Sequence, residues 1–208
     1  MTSTLPEVRP PTNETEERLL DAALSLFAEK GYEAASVREI IEATGVTRPV
    51  LYYYCSSKEE LFRRLVHWKH DEAYRELGRI VQETSGCDNR LRAIIRGSFA
   101  FCAADPRVPR LMFQTHFGPV IPGISEFLGE IAKLRFSIIQ QVMQEGLDSG
   151  ELRGGDAGVL TLAFCCLMDQ HINILSRLPR PKKHLTPEFA HWLVGLFLHG
   201  AASGGREC

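Results

Sequence analysis

The segment Thr47–Lys58 carries the side chains best suited to chemistry, and that chemistry is recognition rather than bond making. The Arg48 guanidinium can donate two hydrogen bonds to a guanine edge, and Val50 can touch a thymine methyl. The hydroxyls of Tyr52, Tyr53 and Tyr54 can hold phosphates. So can Lys58, together with the N–H groups that open a helix. Thr47 and Ser36 stand where helices begin, and Pro49 falls in a first turn, where its missing N–H costs nothing. The alternative is an ordinary helical hairpin with aromatic packing, since short patterns of this kind also occur by chance.

No other constellation competes. No Ser/His/Asp set, glycine-rich phosphate loop or carboxylate pair is recognisable, so no catalytic residue, no enzymatic activity and no cofactor are expected. His67 and His70 lie three apart on a helix. Trp68 and Lys69 between them, with no third ligand nearby, favour a solvated face, and no metal is expected. Cys165 and Cys166 are adjacent, so their side chains diverge around a helix and cannot chelate together.

The elements that must position this segment are helical. Asn13 with Glu16 reads as a capping pair for a helix whose Leu19, Leu20, Ala23, Leu24, Phe27 and Ala28 recur at helical spacing until Lys30-Gly31. Ser36-Val37-Arg38-Glu39 is a second capping box, opening a short helix that stops at Gly45. Thr47 caps a third helix, Arg48 to Tyr54. Ser57-Lys58-Glu59-Glu60 is a third box, starting a long helix to about Glu83. Two short helices around a glycine turn match a helix-turn-helix, the second helix placing its N-terminal residues in the major groove. Beyond Gly86 no strand is convincing. Helices are expected over 88–103, from Asp105-Pro106 to near Phe117, over 123–149, over 156–178, and from Thr186 to about Leu198.

The run Leu19-Leu20-Asp21-Ala22-Ala23-Leu24-Ser25-Leu26-Phe27-Ala28-Glu29-Lys30-Gly31-Tyr32 resembles the opening of the tetracycline-repressor-like (TetR) family. So do Ser36-Val37-Arg38-Glu39-Ile40 and Gly45-Val46-Thr47. Leu51-Tyr52-Tyr53-Tyr54-Cys55-Ser56-Ser57-Lys58-Glu59-Glu60-Leu61 is similar to that family's junction between recognition helix and fourth helix. Glu145-Gly146-Leu147-Asp148-Ser149-Gly150-Glu151-Leu152 is a softer match. Cys55 stands where phenylalanine is usual and Thr44 where alanine is common. The resemblance implies an all-α chain of about nine helices. It comprises a three-helix DNA-binding domain with a helix-turn-helix and a larger C-terminal domain for ligand binding and dimerisation. The expected divisions are a disordered arm at 1–13, the DNA-binding domain at 14–57, the effector and dimerisation domain at 58–200, and a flexible tail at 201–208. The implied function is a regulator, most often a repressor, that binds a palindromic operator in double-stranded DNA as a dimer and is released by a small effector.

The C-terminal helices are apolar nearly all round, so they need cover on two sides. Leu160, Leu167, Ile174, Phe189, Trp192, Leu193, Leu196 and Phe197 are the expected faces of a four-helix homodimer interface. Phe99, Cys102, Phe113, His116, Phe117, Phe136, Gln140, Phe164, Met168 and His171 are candidates to line a pocket for a mostly apolar effector with one or two polar handles. Each taken singly also reads as plain core. The rival to DNA binding is a helical adaptor holding another protein on its apolar C-terminal helices.

Composition sets the bounds. The 208 residues are 44 % hydrophobic and 24 % charged, enough for a packed core, with a formal net charge of −2. Residues 1–58 hold six basic side chains (Arg9, Arg18, Lys30, Arg38, Arg48, Lys58) against nine acidic ones (Glu7, Glu14, Glu16, Glu17, Asp21, Glu29, Glu33, Glu39, Glu42). Coating nucleic acid by charge alone is thereby excluded, and specificity must rest on few contacts. Six cysteines without a Cys-x-x-Cys spacing read as reduced thiols, Cys208 exposed. No segment reads as a membrane span or an export signal, so no membrane partner and a cytoplasmic location are expected.

Overall fold

The computed structural model describes residues 11–118, 121 and 124–200. The arm with Arg9 and the tail with Cys208 lie outside the described residues. Among these residues there are nine α-helices and no strand: α1 (Glu14–Ala34), α2 (Val37–Thr44), α3 (Arg48–Tyr54), α4 (Lys58–Glu83), α5 (Cys87–Ala104), α6 (Arg107–Phe117), α7 (Ser125–Asp148), α8 (Ala157–Leu175) and α9 (Pro187–His199). The chain forms two compact units, and their boundaries fall inside α4, between α5 and α6, and inside α7.

The first unit holds residues up to Tyr74 and Asp105–Leu134. Its helix ends follow local chemistry. Asn13 Oδ1 accepts from the Glu16 N–H at 3.1 Å. The Glu16 carboxylate, however, turns to the N–H and hydroxyl of Thr12, one residue earlier than a capping box requires. The Ser36–Glu39 box is complete, both partners bonding reciprocally. Gly31 (φ 79°) breaks α1, and Gly45 (φ 70°) turns the chain from α2 into α3, a left-handed backbone that glycine adopts without a Cβ clash. Thr47 makes no capping hydrogen bond, because Pro49 removes one of the two N–H groups a cap addresses. Ser57 caps α4 through the Glu60 N–H, while the Glu60 carboxylate reaches Ser56 rather than Ser57.

The core of this unit is Leu19, Leu20, Ala23, Leu24, Phe27, Ile40, Leu51, Phe62 and Leu65, all almost fully buried. Phe62 sits edge-on to Phe27 and Tyr32, with ring centroids 5.0 and 4.9 Å apart. Helix α6 belongs here because it is fastened to α1. Arg107 bonds Asp21 at 2.6 Å and the Ser25 hydroxyl at 2.7 Å, and Gln114 donates to the Ala28 carbonyl at 3.1 Å. For that reason the division by packing does not fall at residue 57, where the sequence reading ends the DNA-binding domain. His70 departs from the sequence expectation. It is buried, with its ring 5.7 Å from His116, and His67 is half-buried against Phe127, so these two histidines do not form a solvated face. Their helix turns that side toward apolar neighbours, which spacing alone did not show. Burial pushes the His67 pKa down.

The second unit holds Arg75–Ala104 and the residues from Arg135 on. Leu91, Ile94, Ile95, Phe99, Ile139, Val142, Phe164, Leu193 and Val194 form its core. Asp156 caps α8 by accepting from Gly158 and Val159, and the Thr186 hydroxyl caps α9 at Phe189. Arg135 on α7 grips Asp169 on α8 in a two-pronged pair at 2.9 and 2.6 Å. At Gly146 a Cβ would lie 2.6 Å from Cys87 Sγ, so the small residue permits close packing of α7 on the start of α5. By length and composition α8 could cross a membrane, where the sequence reading found no such segment. Its charged Asp169, held by Arg135 in mid-helix, fits a helix that packs on protein.

Candidate nucleic-acid interface

Helix α3 is short and one-sided. Leu51 is fully buried and anchors it, while Thr47, Arg48, Pro49, Val50, Tyr52 and Tyr53 are exposed. Tyr53 is the most open, at 84 %. The structure thus gathers most of the candidates on one open face, with Arg48 in the first turn. The Arg48 guanidinium lies 5.6 Å from the Tyr52 ring centre, a cation–π contact that orients it while leaving its N–H groups to other acceptors.

The remaining candidates are placed differently. Tyr54 is half-buried, and its hydroxyl donates to Asn13 Oδ1 at 3.0 Å, so it holds α3 to the start of α1. Its ring meets that of Tyr53 edge to face at 5.1 Å. Lys58 is half-buried. Its ammonium donates to the Glu33 carbonyl at 3.1 Å and lies 4.5 Å from the Tyr32 ring centre. Ser36 is exposed and engaged in its capping box. Glu39 there has its carboxyl pKa held down to about 2, by the Lys30 ammonium and then by Ser36.

Residues 19–65 match the family model described as bacterial regulatory proteins, tetR family. Over this segment, which contains α2 and α3, the chain is similar to that family. It is 34 % identical over 109 residues to the HTH-type transcriptional activator FasR of Mycolicibacterium smegmatis, covering 52 % of this chain and 50 % of that one. It is 28 % identical over 136 residues to the HTH-type transcriptional repressor ComR of Escherichia coli, covering 65 % and 64 %. The matches therefore span half to about two thirds of these relatives. The fold is similar to the crystal structure of the transcriptional regulator FadR from Bacillus subtilis in complex with stearoyl-CoA, with a TM-score of 0.75 and 21 % identity over 89 % of this chain and 99 % of that one.

The other candidates distribute over both units. In the first, Phe113 and Phe117 stack at 5.8 Å, with Phe117 and His116 exposed. The His116 Nδ1 meets the Met112 carbonyl at 2.8 Å. In the second, Phe99, Cys102, Phe164 and Met168 are buried, and Phe136, Gln140 and His171 are half-buried. Burial pushes the Cys102 thiol up to about 12. His171 bonds its own helix at the Leu167 carbonyl, 2.7 Å away, and packs on Phe189.

Of the interface candidates, Ile174 and Trp192 are well exposed, Leu160, Leu167, Phe189, Leu196 and Phe197 are half-buried, and Leu193 is sealed within its own unit. Phe197 leans on Phe164 at 5.3 Å. The exposed apolar arc of α8 runs instead through Val159, Leu162, Cys166 and Ile174. The spacing of the first three, three and then four residues, was legible in the sequence. Without knowing which arc the unit covers, it could not be separated from the core arc.

Proposed function

We propose that the chain is a ligand-responsive transcriptional regulator, working as a repressor, that reads a palindromic operator as a homodimer and is released by a small, mostly apolar effector. Residues 14–57 supply the DNA-binding domain, and residues 58–200 bind the effector and the second copy. The chain works by binding and not by catalysis, in the cytoplasm. The observation that carries this reading is the open face of α3. Arg48, Val50, Tyr52 and Tyr53 are exposed together on a helix anchored by Leu51. A free-standing hairpin with aromatic packing would bury its tyrosines.

Two positions divide the labour of such a site. Arg48, in the first turn, reads bases, and Lys58 holds the backbone. Lys58→Ala is expected to weaken all duplexes about equally and to lower the slope of log affinity against log salt by about one. Salt titration of a specific and an unrelated duplex checks this. An unchanged slope would leave Lys58 to its contacts with Tyr32 and Glu33.

The effector class we infer is an acyl thioester, supported by the stearoyl-CoA held by FadR. The Phe99, Phe164 and Met168 side chains supply apolar contacts, with Gln140 and His171 as polar handles. The effector would favour a state in which the paired readers no longer fit two major grooves, so its affinity must differ between the two states. Fluorescence anisotropy of the protein on its preferred duplex, titrated with stearoyl-CoA, tests this. Release is the expected result. Tighter binding would contradict a repressor of this kind, and no change would contradict the effector class.

A further inference from the structure

The start of α1, the end of α3 and the first turns of α4 meet in a closed polar ring. Glu16 is 1 % exposed, an unusual position for a carboxylate. It accepts from the Thr12 N–H and hydroxyl at 2.7 Å each and forms an ion pair with the Arg64 guanidinium. Arg64 in turn donates to the Tyr54 carbonyl at 3.2 Å, in the last turn of α3. The Tyr54 hydroxyl closes the ring on Asn13, whose Oδ1 also receives the Glu16 N–H. The Cys55 thiol, 2 % exposed, lies against the same guanidinium.

We propose that Glu16 and Arg64 are positioning residues for base reading: their ion pair holds the C-terminal end of α3 against the start of α1 and so sets the angle at which Arg48 meets a base edge. The inference rests on the DNA reading proposed above. Three features carry it. The last-turn carbonyls of a helix lack intrahelical partners, and a cation there is favourable. A forked guanidinium can hold a carbonyl and a carboxylate at once, which an ammonium cannot do with the same geometry. A seven-residue helix has no length with which to fix its own orientation, so external ties must fix it. Glu16 itself, sealed in the unit, cannot touch DNA.

The test separates positioning from simple stability. Removing one partner leaves a buried charge and destabilises the unit, whereas removing both restores neutrality. The double variant Glu16→Gln with Arg64→Met is therefore expected to melt near the wild type. Its ratio of affinities for a preferred over an unrelated duplex should nonetheless fall about tenfold, the scale of one misaligned bidentate base contact. Its salt slope should stay at the wild-type value. Arg64→Lys, which keeps the charge but not the fork, should lose the ratio in the same way, and it serves if the double variant melts below the assay temperature. An undiminished ratio in the folded variants would overturn the proposal. So would a slope lower by about one in the double variant, which lacks the Arg64 charge, because Arg64 would then touch phosphate itself. A wild-type protein that discriminates between no duplexes would instead remove the DNA reading on which the inference stands.

Discussion

Leu162→Asp and Trp192→Asp are each expected to convert a homodimer into a monomer and to abolish tight binding to a palindromic duplex. Leu162 is 58 % exposed and Trp192 55 % exposed on the two last helices, too open for side chains of this size unless a second surface covers them. A carboxylate at either place would enter the apolar interface without a partner, at a cost of several kcal/mol. A twofold interface repeats the insult, because the same residue stands on both subunits. The consequence for DNA is larger than that for assembly. A dimer binds its second half-site at high effective concentration, and losing that linkage costs about 10²- to 10⁴-fold in overall affinity. Sedimentation at micromolar concentration checks the first step. A monomeric wild type, or a variant that remains dimeric, would contradict the interface.

Phe62→Ala is expected to destabilise the first unit by about 3–5 kcal/mol, the usual cost of emptying a buried aromatic site. Phe62 has no exposed surface, and its ring is wedged edge-on between Phe27 and Tyr32. It stands on the second turn of α4 and faces α1, so the cavity would open where these two helices meet. Neither a hydroxyl nor a charge is left stranded, so the loss is one of packing and transfer alone. Urea denaturation should show a lower midpoint with an unchanged slope. A midpoint within experimental error of wild type would mean that the neighbours collapse into the space. Because Lys58 lies over the Tyr32 ring, the variant should also loosen the backbone contact proposed for Lys58.

The helices were legible where local chemistry decides them. Ser36 with Glu39, Gly45, Asp156 and Thr186 mark ends that the structure places within a residue or two of the expectation. On α3 the sequence reading left Val50 outward among the tyrosines, and of its two aliphatic residues, Val50 and Leu51, the structure buries Leu51 alone. What depended on distant partners was not legible. Glu16 looks like half of a capping box with Asn13, but its carboxylate is claimed by Thr12 and by Arg64, 48 positions away. His70 reads as solvated until α6 is known to lie beside it. The partners of Arg107, Ser25 and Asp21, lie 82 and 86 positions away. Leu193 and Leu162 are equally apolar in sequence, and only the packing of the second unit assigns one to the core and the other to the surface.

The most direct test of the central claim is selection of bound duplexes from a random pool, run in parallel on the wild type and on Arg48→Ala. The wild type should enrich a palindrome or near-palindrome with half-sites roughly one helical turn, or a multiple of it, apart. Arg48→Ala should relax the preference at one symmetric base pair and lose about 1–3 kcal/mol of discrimination there. Enrichment of no palindrome by the wild type, or of the same sequence with undiminished affinity by Arg48→Ala, would contradict the assignment of α3 as the reader.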